Sequence, residues 1–455
     1  MAEFIPRDIS TPFDPADEEQ IAEFEGFASD VPTTDGMIDA VSLVPGFTRA
    51  NAVRAAKLFS AGYLNNLVGL VGGVNDLPTP DLTAPSAEAI FERRGLHDQQ
   101  INVPLAGGGT AAVEMWSFER RIDRGIAIGG ADRDAWPAHT IRVREGEIVH
   151  TIMGSRSGPH TIHHHGIEPT AANDGVGHLT FEVGGGQYAY QWQAAEAGTY
   201  FYHCHRNTTL HFEMGMYGML IVDPDVDGAP FTDGGPGWTL MRDTPTSYDA
   251  EAIWVADDID TRWHGADVGD PLFNGTPVIG NSDVAAGIQA PDTDARTGFI
   301  SINDIDNNPR LHDFNPNVFV VSGVAAPFED DGQNLITAVG ATIQTNQRLL
   351  VRALNASYCT QVWKFPTSLQ GTVTAVDGRT LGRSKFGSYS QPFSLASIGH
   401  QFMFTTAQRW DILIDGSSAT FIGQHIVEIE FRHWITNALL RTLRVPINIT
   451  SVQPG

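Results

Sequence analysis

The chain has 455 residues, enough for two or three domains with buried cores. Gly (47) and Pro (26) are plentiful while only 18% of residues are charged, which fits a turn-rich β protein and excludes one built of long helices. A formal net charge of −26 repels phosphate backbones and anionic lipid, which makes nucleic acid and membrane surfaces poor candidates as partners.

Residues 1–100 read as a partly helical N-terminal extension. Pro- and Asp-rich coil leads into "RANAVRAAKLFSAGYLNNLVGLVGG" (Arg49 to Gly73), whose apolar spacing predicts a helix ending at the glycine pair. A shorter helix is expected over Ser86 to Arg94, with Ser86 as N-cap and Gly95 as the stop. The first 30 residues are acidic and polar, so no secretory leader is visible, and no run of 18 apolar residues predicts a membrane span.

From about residue 101 the pattern turns to short alternating runs: "TIRVREGEIVHTI", "HLTFEVGGG", "QYAYQWQAAEAGTYFYHCH" and "MYGMLIVDP". Period-2 alternation bounded by Gly, Asp and Pro predicts strands of a β-sandwich over residues 101–225. The Gly-, Asp- and Pro-rich stretch Asp225 to Gly237 marks a domain boundary. A second sandwich is expected over 236–455, through "NVFVVSG", "QRLLVRALNAS", "TAVDGRTL" and "QRWDILIDG".

Seven of the sixteen histidines fall in two blocks, "GPHTIHHHG" (Gly158 to Gly166) and "YFYHCHRNTTLHFEMGMYG" (Tyr200 to Gly218). In a strand, residues i and i+2 share a face and i+1 takes the other. His163, His165, His203 and His205 are thereby set apart from His160, His164 and Cys204, which predicts two metal sites.

The first site collects His160, Cys204 and His211, with Met216 as a weak fourth ligand. Two imidazoles, a thiolate and a distant thioether are the ligand set of a type 1 copper, suited to one-electron transfer. The second collects His163, His165, His203 and His205, imidazoles that suit copper or zinc and a small substrate such as dioxygen or nitrite. Because Cys204 is bonded in sequence to His203 and His205, a short covalent path joins the two. His164 points away, as a neighbour of the first site or a surface contact. His97, His139, His150, His178, His264, His312, His400 and His425 match no ligand pattern, and Cys359, with no histidine near it, reads as a buried structural thiol rather than a disulfide partner of Cys204.

Residues from about Ile141 to Pro224 resemble the cupredoxin domain of the multicopper oxidases. That family pairs H-x-x-H-x-H-G, matched by His160, His163, His165 and Gly166, with H-C-H, a later histidine and an axial residue, matched by His203, Cys204, His205, His211 and Met216. The resemblance implies two Greek-key cupredoxin-like sandwiches, the second lacking type 1 ligands. It also implies a type 1 copper plus type 2 and/or type 3 copper, a small-molecule or metal-ion reductant, dioxygen reduced to water, and a periplasmic or secreted location. Asp174, in "DGVG", takes the place of the family's carboxylate near the oxygen-reducing cluster, where it would guide protons.

Two departures keep alternatives open. The family's three-copper cluster needs eight histidines and this chain supplies four, so a homo-oligomer, dimer or trimer, is expected to complete a site. A copper nitrite reductase-like enzyme would use His165 and His203 with a neighbour's His433, although His163 stands where its catalytic aspartate would be. A non-catalytic electron-transfer cupredoxin is the third reading.

Overall fold

The computed structural model describes residues 89–452, apart from 106–108, 156–159, 168, 170–172, 177–185, 195, 207, 229, 262–263, 265–313, 328–333 and 384–389. The first domain opens with a hairpin of β1 (Ala89–Pro104) and β2 (Thr110–Asp123). There follow β3 (Ile126–Ala127), β4 (Ala138–Arg144), β5 (Ile148–Ser155), β6 (His163–His165), β7 (Gly186–Gln193) and β8 (Gly198–His203). A short helix α1 (Thr208–Glu213) leads into β9 (Tyr217–Asp223).

These strands form two sheets, in the orders β3-β2-β1-β5-β7 and β4-β9-β8-β6. Alternation explains the layering: Tyr188, Tyr190 and Trp192 of β7 share one face and enter the core with Val149, Tyr202 and Leu220. All six residues of β8 are buried, because its inner face meets this core and its outer face meets the second domain.

The expected helix over Ser86 to Arg94 is corrected. Residues from Ala89 belong to β1, which pairs parallel with β5 from Ala89↔Ile148 to Arg94↔Met153 and antiparallel with β2. The Ala, Glu and Arg content favours a helix locally, but ladders on both edges satisfy the backbone and override it. The first domain's sheet therefore begins ahead of residue 101. The expected helix of Arg49 to Gly73 and most of the strand "HLTFEVGGG" lie outside the described residues.

A hairpin of β10 (Gly237–Met241) and β11 (Thr244–Tyr248) follows the Asp225 to Gly237 stretch. The second domain continues with β12 (Ala250–Ile259), β13 (Val318–Val321), β14 (Val324–Ala325), β15 (Ala341–Gln344), β16 (Arg348–Asn355) and β17 (Thr360–Lys364). Then come β18 (Gln370–Val376), β19 (Arg379–Thr380), β20 (Phe393–Ser394), β21 (Gln401–Phe404), β22 (Arg409–Asp415), β23 (Gly423–Arg432) and β24 (Leu439–Thr450). Their sheets run β14-β13-β12-β16-β22-β18-β19, with β20 beside β18, and β15-β24-β23-β17-β21. Trp254, Val351, Trp363, Ile412, Ile429 and Val445 fill the space between them. Two β-sandwiches thus stand side by side, and no described helix is long and apolar enough to cross a membrane.

Buried ions join the domains. Arg142 of β4 donates to Asp223 (2.7 and 2.9 Å) and to Glu251 of β12 (2.7 and 3.1 Å). Arg352 of β16 donates to Glu251 (2.6 Å), Asp411 (3.0 Å) and the Thr199 hydroxyl of β8 (2.9 Å).

Candidate metal centres

Three short segments converge at the end of β8. His160 lies on the loop before β6, Cys204 follows β8, and His211 sits in α1. The Cys204 N–H donates to the Met216 carbonyl and the Met216 N–H to the His211 carbonyl, both at 3.0 Å, so the backbone itself locks these three residues together. The Cys204 Sγ lies 3.1 Å from His211 Nδ1 and 3.7 Å from His160 Nδ1. Met216 is buried in the same apolar cluster as Cys204.

This donor set fits a metal. One sulfur and two ring nitrogens lie within 4.8 Å of one another, all buried. Burial, then the proximity of His211 and Arg206, holds His160 well below the usual imidazole range, so it is neutral and able to donate its lone pair. A thiolate with two imidazoles selects copper among common metals.

The second cluster follows from one strand pairing. β6 and β8 are antiparallel in the register His163↔His203 and His165↔Phe201, which sets the three imidazoles on one face. Ligand nitrogens of His163, His165 and His203 lie within 4.8 Å of one another, with His165 Nδ1 3.3 Å from His203 Nε2. His205 stands beside this trio, its ring 5.2 Å from that of His163 and 5.5 Å from that of His203.

Backbone carbonyls orient two of these rings. The His163 Nδ1–H donates to the Asp174 carbonyl at 2.6 Å, and the His203 Nδ1–H donates to the Cys204 carbonyl at 2.9 Å, which leaves each Nε2 for a metal. The Asp174 carboxylate is also within 3.4 Å of His163. Burial, with Arg409, His163 and His205 nearby, pushes His165 down to about 3, and burial with His163 and His165 holds His203 well below its usual range. His165 and His203 are therefore neutral imidazoles.

His164 faces the core rather than the surface. It is fully buried, with Nε2 3.1 Å from the Thr151 hydroxyl and its ring against Trp192 and Tyr190, so the surface-contact alternative is corrected. His433 sits in the turn after β23, where its Nδ1 accepts the N–H groups of Ile435 (3.1 Å) and Thr436 (3.2 Å). Cys204 and Cys359 are both free thiols.

Two residues near the sites escaped the sequence reading. Arg409 of β22 lies over the Phe201 ring, which stacks on His165 and His203. Trp116 of β2 packs edge-on against His211. Neither stands near a ligand in sequence, so no local signal marks them.

Residues 122–227 match the multicopper oxidase family model. The chain is 36% identical over 105 residues to multicopper oxidase CTB12 of Cercospora beticola, covering 21% of this chain and 16% of that protein. It is 24% identical over 347 residues to copper resistance protein A of Escherichia coli, covering 71% of this chain and 50% of that protein. The matches thus span half or less of these relatives' lengths. The solved blue copper oxidase of Nitrosomonas europaea aligns over 79% of this chain and 86% of its own, with 16% identity and a TM-score of 0.47. The thiol and imidazole clusters both lie inside the segment that matches the multicopper oxidase family model.

Proposed function

We propose that the protein is a copper-dependent oxidoreductase. His160, Cys204, His211 and Met216 would hold a type 1 copper, and His163, His165, His203 and His205 further copper of type 2 or type 3. The observation that carries this reading is the joint between the clusters: Cys204 supplies the thiolate of one, while its carbonyl accepts the Nδ1–H of His203 in the other. When bound, copper in such ligand sets supplies one-electron chemistry, withdrawing electrons from a reductant and delivering them to dioxygen, which is reduced to water.

The chain's own residues divide the remaining work. Burial of His160, Cys204, His211 and Met216 keeps water from the thiolate and limits rearrangement between oxidation states. Held by a strand ladder, His163, His165 and His203 present converging nitrogens toward a small acceptor. The Asp174 carboxylate, partly exposed and beside His163, is suited to bring protons from solvent to that acceptor.

Four imidazoles from one chain leave a three-copper cluster half built, so a second copy related by a twofold axis is proposed to supply the other four. A nitrite reductase-like enzyme is the second reading, in which His165 and His203, their ring nitrogens 3.3 Å apart, would hold a single ion together with a neighbour's His433. A periplasmic or secreted location is proposed with either.

The test is copper content per chain with the EPR spectrum and native mass. About five coppers per dimer with type 1 and type 2 signals are expected for the oxidase on these ligand counts. About two per chain in a trimer would favour nitrite reduction, and about one with a type 1 signal alone would sink both. Cys204→Ser should abolish the blue thiolate-to-copper absorption while leaving the fold intact, since little volume is lost.

A further inference from the structure

Every residue assigned to the thiolate site is closed to solvent: His160 is 6% exposed, His211 2%, Met216 1% and Cys204 0%. A reductant therefore has no imidazole edge to touch. What lies over His211 is the indole of Trp116, edge-on with ring centroids 5.7 Å apart. The main-chain N–H of Trp116 donates to the Met214 carbonyl at 2.6 Å, tying β2 to the loop that carries Met216. Trp116 is itself only half-buried, so its ring bridges solvent and His211. It belongs to the β1–β2 hairpin, ahead of the segment 122–227 that matches the family model.

The indole has charged neighbours. The β1–β2 register places Asp98 opposite Trp116 and Gln100 opposite Glu114, and residues paired across a ladder or two apart along a strand share a face. Asp98, exposed, and Glu114, half-buried, thus flank Trp116 with carboxylates. Such a rim attracts cations and repels anions, on a chain already at −26.

We propose that Trp116 is the electron-entry residue and specificity-determining cover of the thiolate site. A hydrated one-electron metal cation docks against Asp98 and Glu114, and its electron crosses the indole to His211 and the metal held there. The donor cation loses one electron, the metal bound by Cys204 gains it, the indole ends unchanged, and no proton moves. The same cover denies organic phenols contact with His211. This rests on the reading that Cys204 and its neighbours hold copper.

The experiment is anaerobic stopped-flow bleaching of the blue absorption of copper-loaded protein. The probes are hexaammineruthenium(II) as a cationic donor and hydroquinone as a neutral one. In the double variant D98N/E114Q the cationic rate should fall about tenfold at low salt and lose most of its salt dependence, with the hydroquinone rate unchanged. Trp116→Ala should raise the hydroquinone rate severalfold by uncovering His211, whereas Trp116→Phe, which keeps a ring in place, should not. Copper(II) quenching of tryptophan fluorescence should weaken in both Trp116 variants. The proposal is overturned if D98N/E114Q reacts with the cation as the wild type does, or if a blue Trp116→Ala protein reacts with both donors at wild-type rates. Absence of blue absorption in the wild type would instead sink the copper reading on which the proposal stands.

Discussion

Asp174 meets His163 through two groups of different kinds, and a substitution separates them. Its main-chain carbonyl accepts the ring Nδ1–H at 2.6 Å, while its carboxylate reaches to 3.4 Å. Asp174→Ala removes only the second. The ring stays oriented, so copper affinity at the imidazole cluster should fall by less than about tenfold, below what losing an orienting partner costs. Turnover with dioxygen should fall much further if the carboxylate carries protons; equal losses in affinity and turnover would assign it to orientation alone. At this scale the grouping of His163, His165 and His203 was legible, because strand parity and the β6–β8 register set all three on one face. The offset of His205 was not legible, since it stands past the end of β8, where alternation no longer sets direction.

At the scale of elements, the imidazole cluster depends on a turn that only glycine can make. Gly175 has φ +72°, and a Cβ there would stand 1.8 Å from the Ile162 carbonyl oxygen, so the loop bearing Asp174 lies directly on the strand bearing His163. Gly175→Ala should destabilise the protein by about 2–4 kcal/mol, from strain plus displacement of the loop. Denaturant unfolding of the metal-free protein would measure it, and copper should be lost from the imidazole cluster before the blue absorption changes. Runs such as "MYGMLIVDP" were readable as strands because flanking turns bound them. β1 was not, because "SAEAIFERRG" has helical composition and its strand state comes from β2 and β5, partners later in the chain.

For the whole molecule, the feature hardest to foresee is the ionic joint between the sandwiches, whose partners lie some hundred residues apart. Glu251 stands at its centre, fully buried, accepting from Arg142, Arg352 and the Tyr248 hydroxyl. Burial pushes its carboxyl up, but Arg352 and Arg142 outweigh that and hold it down at about 2. Glu251→Gln would leave two buried guanidinium groups short of an anion and should cost about 3–5 kcal/mol. Since a depressed carboxyl stabilises the fold above its unfolded pKa, the wild-type advantage should be constant from neutral pH down to about 4.5 and narrow as pH falls toward 2. Denaturation of both proteins between about pH 7 and about pH 3 tests this sign, and a gap that widens in acid would refute it. Thr199 of β8 shares Arg352, and β8 ends at His203, so the joint also braces the strand that delivers both metal clusters. The variant should accordingly lose blue absorption at lower denaturant than it loses β-sheet signal, and gain protease sensitivity in the Asp225 to Gly237 connection.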